Sequence, residues 1–145
     1  MYLIANGKKL IEMKIMGYEF PDESKLNDPH DLNWLNIAVR VETKHIHYFK
    51  QEPIVLTWEI ADMITGLEQV LAADTWTYET DFLEPALRMV FYGHDRIVEV
   101  DFRHQFCTGD DVWETYRARF SIPKREFGEV VNQLKTEFSK FPKRG

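Results

Sequence analysis

The sequence has a single cysteine, Cys107, and no run that approaches the roughly 20 consecutive apolar residues of a membrane-spanning helix. One cysteine cannot form a disulfide within the chain, as expected for a protein of a reducing cytosol. The N-terminal segment has no basic region ahead of an apolar one, so we expect no secretory signal peptide. These absences predict a soluble cytoplasmic protein that does not bind membranes.

Basic residues are also in short supply. The chain has 18 Lys and Arg against 24 Asp and Glu, a formal net charge of −6 at pH 7. An acidic domain does not attract phosphate backbones at long range, so nucleic acid is not an expected direct ligand. A basic protein is the more natural partner, because opposite net charge speeds the encounter.

The chain contains enough hydrophobic residues to form a core. The chain has 145 residues, of which 44% are hydrophobic and 14% aromatic. A chain of this length can hide about two-thirds of its unfolded surface on folding. The sequence contains no repeat and no linker, so residues 1–145 are predicted to form a single globular domain.

Alternation of apolar and polar residues predicts most of the strands. From Leu35, every second residue is apolar up to Val41, which is typical of a half-buried strand. The same pattern marks strand segments within residues 8–20, 44–50, 86–92, 96–106 and 112–122. We expect a tight turn near Thr43 and Lys44, and we expect Pro53 to end the strand that follows it.

Two segments show helical spacing instead, with apolar residues three and four positions apart. The first predicted helix follows Thr57, a plausible N-cap, and the second lies near the C-terminus. The apolar stripes are Ile60, Met63, Ile64, Leu67, Val70 and Leu71 in the first, and Phe127, Val130, Val131, Leu134 and Phe138 in the second. The predicted fold is α+β, with a single, mostly antiparallel, twisted sheet and both amphipathic helices packed on one face, in two layers.

A two-layer fold leaves the other sheet face open to solvent. On the polar side of the predicted strands, tryptophans stand among charged residues, and Trp and Arg are the residues that dominate interface hot spots. Cross-strand ion pairs alone would explain the charges, but they do not explain the aromatic residues. We therefore predict that a basic protein partner meets this face, at or near Trp34, Arg40, Glu99, Asp101 and Trp113.

The sequence contains no P-loop, GxGxxG or GxSxG motif, and it predicts no catalytic residue and no cofactor. His45 and His47 are the residues that most resemble a metal or catalytic site, because two histidines at this spacing on a strand project from the same face. A zinc site needs at least a third protein ligand, and no spaced motif supplies one, so we expect no stoichiometric metal. A small metal-dependent enzyme using His45 and His47, or a protein-binding module or homodimeric scaffold of unrelated function, remain the alternatives.

Several strings, taken in order, resemble those of a known family. They are GYEFP at Gly17–Pro21, DLNWLNIAVRVE at Asp31–Glu42, LTWEI at Leu56–Ile60, FLEPALRMVF at Phe82–Phe91, and KFP at Lys140–Pro142. Their order and spacing resemble the WapI-type immunity proteins of bacterial contact-dependent growth inhibition and polymorphic toxin systems.

The resemblance implies a small, cytoplasmic, non-enzymatic protein. Such a protein binds the cognate toxin domain of a polymorphic toxin and neutralises it by protein–protein interaction. For this group the toxin is a tRNA-cleaving nuclease, which would be a basic protein. The resemblance carries no contact residues over to this chain.

Overall fold

The computed structural model describes residues 2–6, 9–73, 76–105 and 113–145; side chains are described for these residues except 2–6, 9–10, 103–105 and 113–114. The first half of the described chain contains β1 (Tyr2–Asn6), β2 (Lys9–Tyr18), α1 (Pro29–Asn33), β3 (Trp34–Glu42) and β4 (His47–Leu56). The second half contains α2 (Thr57–Ala72), β5 (Thr77–Glu79), β6 (Leu87–Tyr92), β7 (Ile97–Gln105), β8 (Trp113–Ser121) and α3 (Lys124–Phe138).

The strands form two antiparallel sheets of four strands each. Sheet A has the order β1-β2-β3-β4, and sheet B has the order β5-β6-β7-β8. The α+β class and the antiparallel pairing are confirmed. The prediction of a single sheet is wrong, because the chain leaves β4 through α2 and starts a separate set of hairpins.

Features of the edge strands β4 and β5 oppose strand pairing between the two sheets. On the edge strand β4, Lys50 pairs with Val39 and Glu52 with Ile37, so both charged side chains point inward with the core residues. Inward-pointing charges on an edge strand discourage further strand pairing. On sheet B, the edge strand β5 has only three residues. Alternation in the sequence predicts the face of each residue but not which strands pair.

One hydrophobic core joins the sheets and the helices. The inner residues of β2, β3, β6, β7 and β8 share a cluster with Ile60, Met63, Leu67 and Val70 of α2 and with Phe127, Val130, Val131 and Leu134 of α3. Helix α2 contacts β4 as well as β5 and β6, so it bridges the two sheets. Helix α3 contacts β1 and β2, and its Phe127 ring stacks on Phe91 of β6 at 5.6 Å. The prediction that the apolar stripes of both helices face the core is therefore confirmed. The prediction that both helices pack in two layers on one face of a single sheet is not.

Three local predictions are corrected. Strand β4 runs through Pro53 to Leu56, because a proline on an edge strand removes no ladder hydrogen bond. Thr57 lies inside α2 and donates to Asn33 Oδ1 at 2.8 Å, while the Glu59 carboxylate accepts from the Leu56 amide at 2.8 Å and caps the helix. His45 lies in the turn before β4, so only His47 belongs to a strand.

The C-terminal segment is bound to the segment that connects β2 and β3. The Arg144 guanidinium donates to the carbonyl oxygens of Leu32 at 2.7 Å and of Phe20 at 2.8 Å, and it lies 3.8 Å from the centre of the Tyr18 ring. The buried Asn33 amide adds bonds to both backbone groups of Arg144. Residues more than a hundred positions apart therefore fix this connection.

Candidate functional site: the outer faces of the two sheets

The five residues predicted to bind a partner lie on two faces. Trp34 and Arg40 are on β3 of sheet A, whereas Glu99 and Asp101 are on β7 and Trp113 begins β8 of sheet B. The inner faces of both sheets contribute to one core, so the outer faces point away from it on different sides. The structure brings Glu99 and Asp101 together and separates them from Trp34 and Arg40. Their role in partner binding stays a prediction.

Among the side chains that the structure describes, those on the outer face of sheet A make few contacts with one another. Trp34 is half-buried, and Arg40 is exposed with its guanidinium carbon 5.5 Å from the centre of the Phe49 ring. Phe49 itself is 60% exposed, and Met16 is 46% exposed. A cation–π contact at an exposed site contributes only about 0.5–1 kcal/mol. This face is a loosely connected surface of apolar and charged side chains.

The outer face of sheet B carries a continuous charge ladder, which we define as Glu79, Arg88, Asp101, Arg117, Glu99 and Arg119. Arg88 donates to Glu79 Oε1 at 2.6 Å and to Asp101 Oδ2 at 3.0 Å. Arg117 donates to both Asp101 oxygens, at 2.7 and 3.0 Å, and Arg119 Nε lies 3.1 Å from Glu99 Oε2. The cross-strand pairing of acids with arginines predicted from the sequence is confirmed.

Within this ladder, Arg117, Arg119 and Glu79 are the outermost groups. The side chains of Arg117 and Arg119 are 58% and 60% exposed, whereas those of Asp101 and Glu99 are only 13% and 9% exposed. Hydrogen bonds from Arg117, with further support from Arg88, hold the pKa of Asp101 below its usual value. Guanidinium groups therefore cover the carboxylates of both Glu99 and Asp101, and whether these two residues contact a partner stays a prediction.

A groove opens at the end of sheet B where β6 begins. Its volume is about 300 Å³, and we call it the sheet-B groove. It is lined by Glu79, Thr80, Asp81, Phe82, Pro85, Leu87, Arg88, Asp101, Phe102 and Thr115. The groove therefore adjoins the charge ladder and combines apolar walls with three carboxylates and one guanidinium.

Residues 80–86, which link β5 to β6, form one wall of this groove. The Thr80 amide donates to the Met89 carbonyl at 2.9 Å, and the Leu83 amide donates to Glu59 Oε1 at 2.6 Å. Glu59 is 8% exposed, and its burial raises the pKa of this carboxyl, with a smaller contribution from Asp81. Glu59 was not identified from the sequence as an anchor of residues 80–86. Acidic residues are common in the first turn of a helix, where the helix dipole stabilises them, so this position gave no special signal.

His45 and His47 line a second cleft of about 160 Å³ with Ile46, Tyr48, Phe102 and Tyr116. Both histidines are exposed. Across the described side chains, no group of three His, Cys, Asp or Glu residues is arranged to hold a metal ion.

The second cleft is mainly aromatic. The ring centroid of Tyr48 lies 4.4 Å from that of Phe102, and the ring centroid of Tyr116 lies 5.8 Å from it. Burial raises the pKa of Tyr48 to about 12, so this phenol stays protonated at neutral pH.

Two residues singled out from the sequence have no described side chain. The backbone of Trp113 belongs to β8, paired with Gln105, but its side chain lies outside the described part of the structure. Cys107 lies outside it entirely.

Comparison with known proteins gives one match. The model of the family described as immunity protein WapI-like matches residues 2–142, nearly the whole chain. No curated protein and no solved structure matches the chain. Within the described residues, none of the helices is long and apolar enough to cross a membrane.

Proposed function

Because the chain belongs to the WapI-like immunity protein family, we propose that it binds a cognate bacterial toxin domain in the cytoplasm and neutralises it by protein–protein interaction. Family membership is the observation that carries this proposal. It implies toxin immunity and a cognate toxin partner in general, and proteins of this kind are generally not enzymes. The system is a contact-dependent growth inhibition or polymorphic toxin system, and the toxin is a basic nuclease such as a tRNase.

The charge of the chain supports a basic partner. A nuclease that cleaves RNA must attract a polyanion and so tends to be basic. An inhibitor with a net charge of −6 gains encounter rate from the opposite sign. It would also repel free RNA, which favours inhibition by contact with the toxin over competition for its substrate.

We place the partner-binding surface on the outer face of sheet B. Its exposed arginines are held in place by carboxylates on neighbouring strands, so little side-chain freedom is lost when a partner contacts them. Arginine and tryptophan are enriched at hot spots, and Trp113 begins the strand that carries Arg117 and Arg119. The ladder contains three carboxylates and three guanidinium groups, so it adds no net charge to this face.

The test is co-expression with the toxin domain encoded beside this gene, scored by cell survival, together with an affinity measurement on the purified pair. Two matched double variants separate the faces: Arg117→Ala with Arg119→Ala on sheet B, and Trp34→Ala with Arg40→Ala on sheet A. We expect the first pair to weaken binding at least about tenfold. We expect the second pair to leave protection unchanged.

The outcomes distinguish the function from its surface. If the unmodified protein neither binds nor protects against this toxin domain, the proposed function is wrong. If it does both, and only the sheet A pair loses binding, the function stands and the interface lies on sheet A. Circular dichroism of each double variant checks that the fold is retained.

A further inference from the structure

Among the three carboxylates that line the sheet-B groove, that of Asp81 is the one without a cationic partner among the described residues. Glu79 and Asp101 share the guanidinium of Arg88, and Asp101 is bound by Arg117 as well. Asp81 has no hydrogen bond or ion pair in the part of the chain that the structure describes, and it is exposed at the groove wall. An additional positive charge would find a free carboxylate here.

Three acids, Asp62, Asp81 and Glu59, act electrostatically on the Tyr78 phenol. Burial, with smaller contributions from the negative charge of these acids, raises the pKa of Tyr78 to about 12. The buried Glu59 carboxyl is influenced by Asp81 and Asp62 in the same way.

The rest of the lining is apolar. Leu87 and Phe102 are buried at the base of the groove, Phe82 is half-buried, and Pro85 is exposed at its wall. Lysine and arginine bury their aliphatic stems along apolar surface while the charged end stays with polar groups. A volume of about 300 Å³ lies at the small end of the range for ligand pockets, which suits one long side chain.

We propose that the sheet-B groove receives a lysine or arginine side chain from the toxin domain, with Asp81 as its carboxylate partner. This inference rests on the proposed function and specifies the chemistry of the toxin surface that docks beside the charge ladder. The wall is formed before binding, because Thr80 and Leu83 are anchored to Met89 and Glu59. A preformed wall lowers the entropic cost of seating the side chain.

Asp81→Lys tests the groove, and Asp95→Lys is the matched control. Asp95 is also exposed, and it lies in the turn between β6 and β7, at the other end of the same hairpin. Both variants change the net charge equally. With the toxin domain encoded beside this gene as the probe, we expect Asp81→Lys to weaken binding at least about tenfold and Asp95→Lys to weaken it less than about threefold.

A second measurement does not depend on the toxin. N-acetyl-arginine amide is titrated into the isotope-labelled protein, with the equivalent citrulline amide as a neutral probe of the same shape. We expect backbone amide shifts at Thr80, Asp81 and Phe82 with the arginine compound only, and we expect Asp81→Asn to abolish them.

Equal toxin affinities for Asp81→Lys and Asp95→Lys, with the unmodified protein binding normally, would overturn the groove inference and leave the proposed function intact. Equal shifts with both amides would also overturn it. Failure of the unmodified protein to bind the toxin domain would instead contradict the proposed function. If the groove inference is right, replacing one basic toxin residue by glutamate restores the affinity of Asp81→Lys for the toxin domain.

Discussion

The outer faces of the two sheets come from the same kind of sequence pattern, yet they differ in construction. On sheet A, Arg40 contacts Phe49, and few other contacts join the exposed side chains within the described residues. On sheet B, six side chains form one ion-pair ladder across four strands. Charged residues on a strand therefore do not by themselves indicate an acidic or basic surface; the order of burial within each pair decides which charge a partner meets.

The largest effect tests whether the two faces belong to one folding unit at all. Leu67→Ala and Leu134→Ala are each expected to destabilise the protein by about 2–5 kcal/mol, because both side chains are fully buried in the shared core. Chemical denaturation gives the free energy of unfolding, and hydrogen exchange reports on each sheet separately. We expect both sheets to lose protection together. Loss from one sheet alone would mean that the faces belong to independent units.

The next effect sharpens the contrast in partner binding. Trp113→Ala is expected to weaken toxin binding by more than about 2 kcal/mol, the usual threshold of a hot spot. Trp34→Ala, on the other sheet, is expected to change it by less than about 0.5 kcal/mol. Isothermal titration with the purified toxin domain measures both. A larger loss for Trp34→Ala would move the interface to sheet A.

A smaller effect concerns the ladder and has a definite pH dependence. Asp101→Asn is expected to cost about 1 kcal/mol of stability at pH 7, because two arginines lose their charged acceptor. The pKa of Asp101 is lower in the folded protein than its ordinary value of 3.8, so its contribution is complete above that value and is lost as the pH falls through the folded pKa. The stability difference between the two proteins should therefore narrow below about pH 4. A difference that stays constant through acid denaturation would contradict this.

The smallest effect is expected on sheet A. Arg40→Ala should change the free energy of unfolding by less than about 0.5 kcal/mol, since an exposed cation–π contact is the only ring contact of this side chain that the described structure records. Urea denaturation beside Asp101→Asn compares the two faces directly. Equal losses from the two variants would remove the distinction between them.

Much of this fold follows from periodicity. The inward residues Val98, Val100 and Phe102 of β7, and the stripes of α2 and α3, are buried as the spacing predicts. The number of sheets does not follow, because it depends on strand pairing and on edge features such as Lys50 and Glu52. Which side chains cover the Glu99 carboxylate depends on the register of strand pairing in two hairpins. The alternation of apolar and polar residues does not predict that register. Anchors such as Glu59 and Arg144 join distant segments and leave no local signal.

The bonds made by Arg144 have a consequence for synthesis. The segment from Phe20 to Asn33 leaves the ribosome early, but its carbonyl groups and the Asn33 amide find their partners on residues made more than a hundred positions later. Contacts of such large sequence separation form late, because the closing loop is long. The connection before β3 therefore stays incompletely bonded until Arg144 has left the ribosome. A premature stop codon before Arg144 would leave the preceding residues unchanged, but this connection would lose its hydrogen bonds to Arg144.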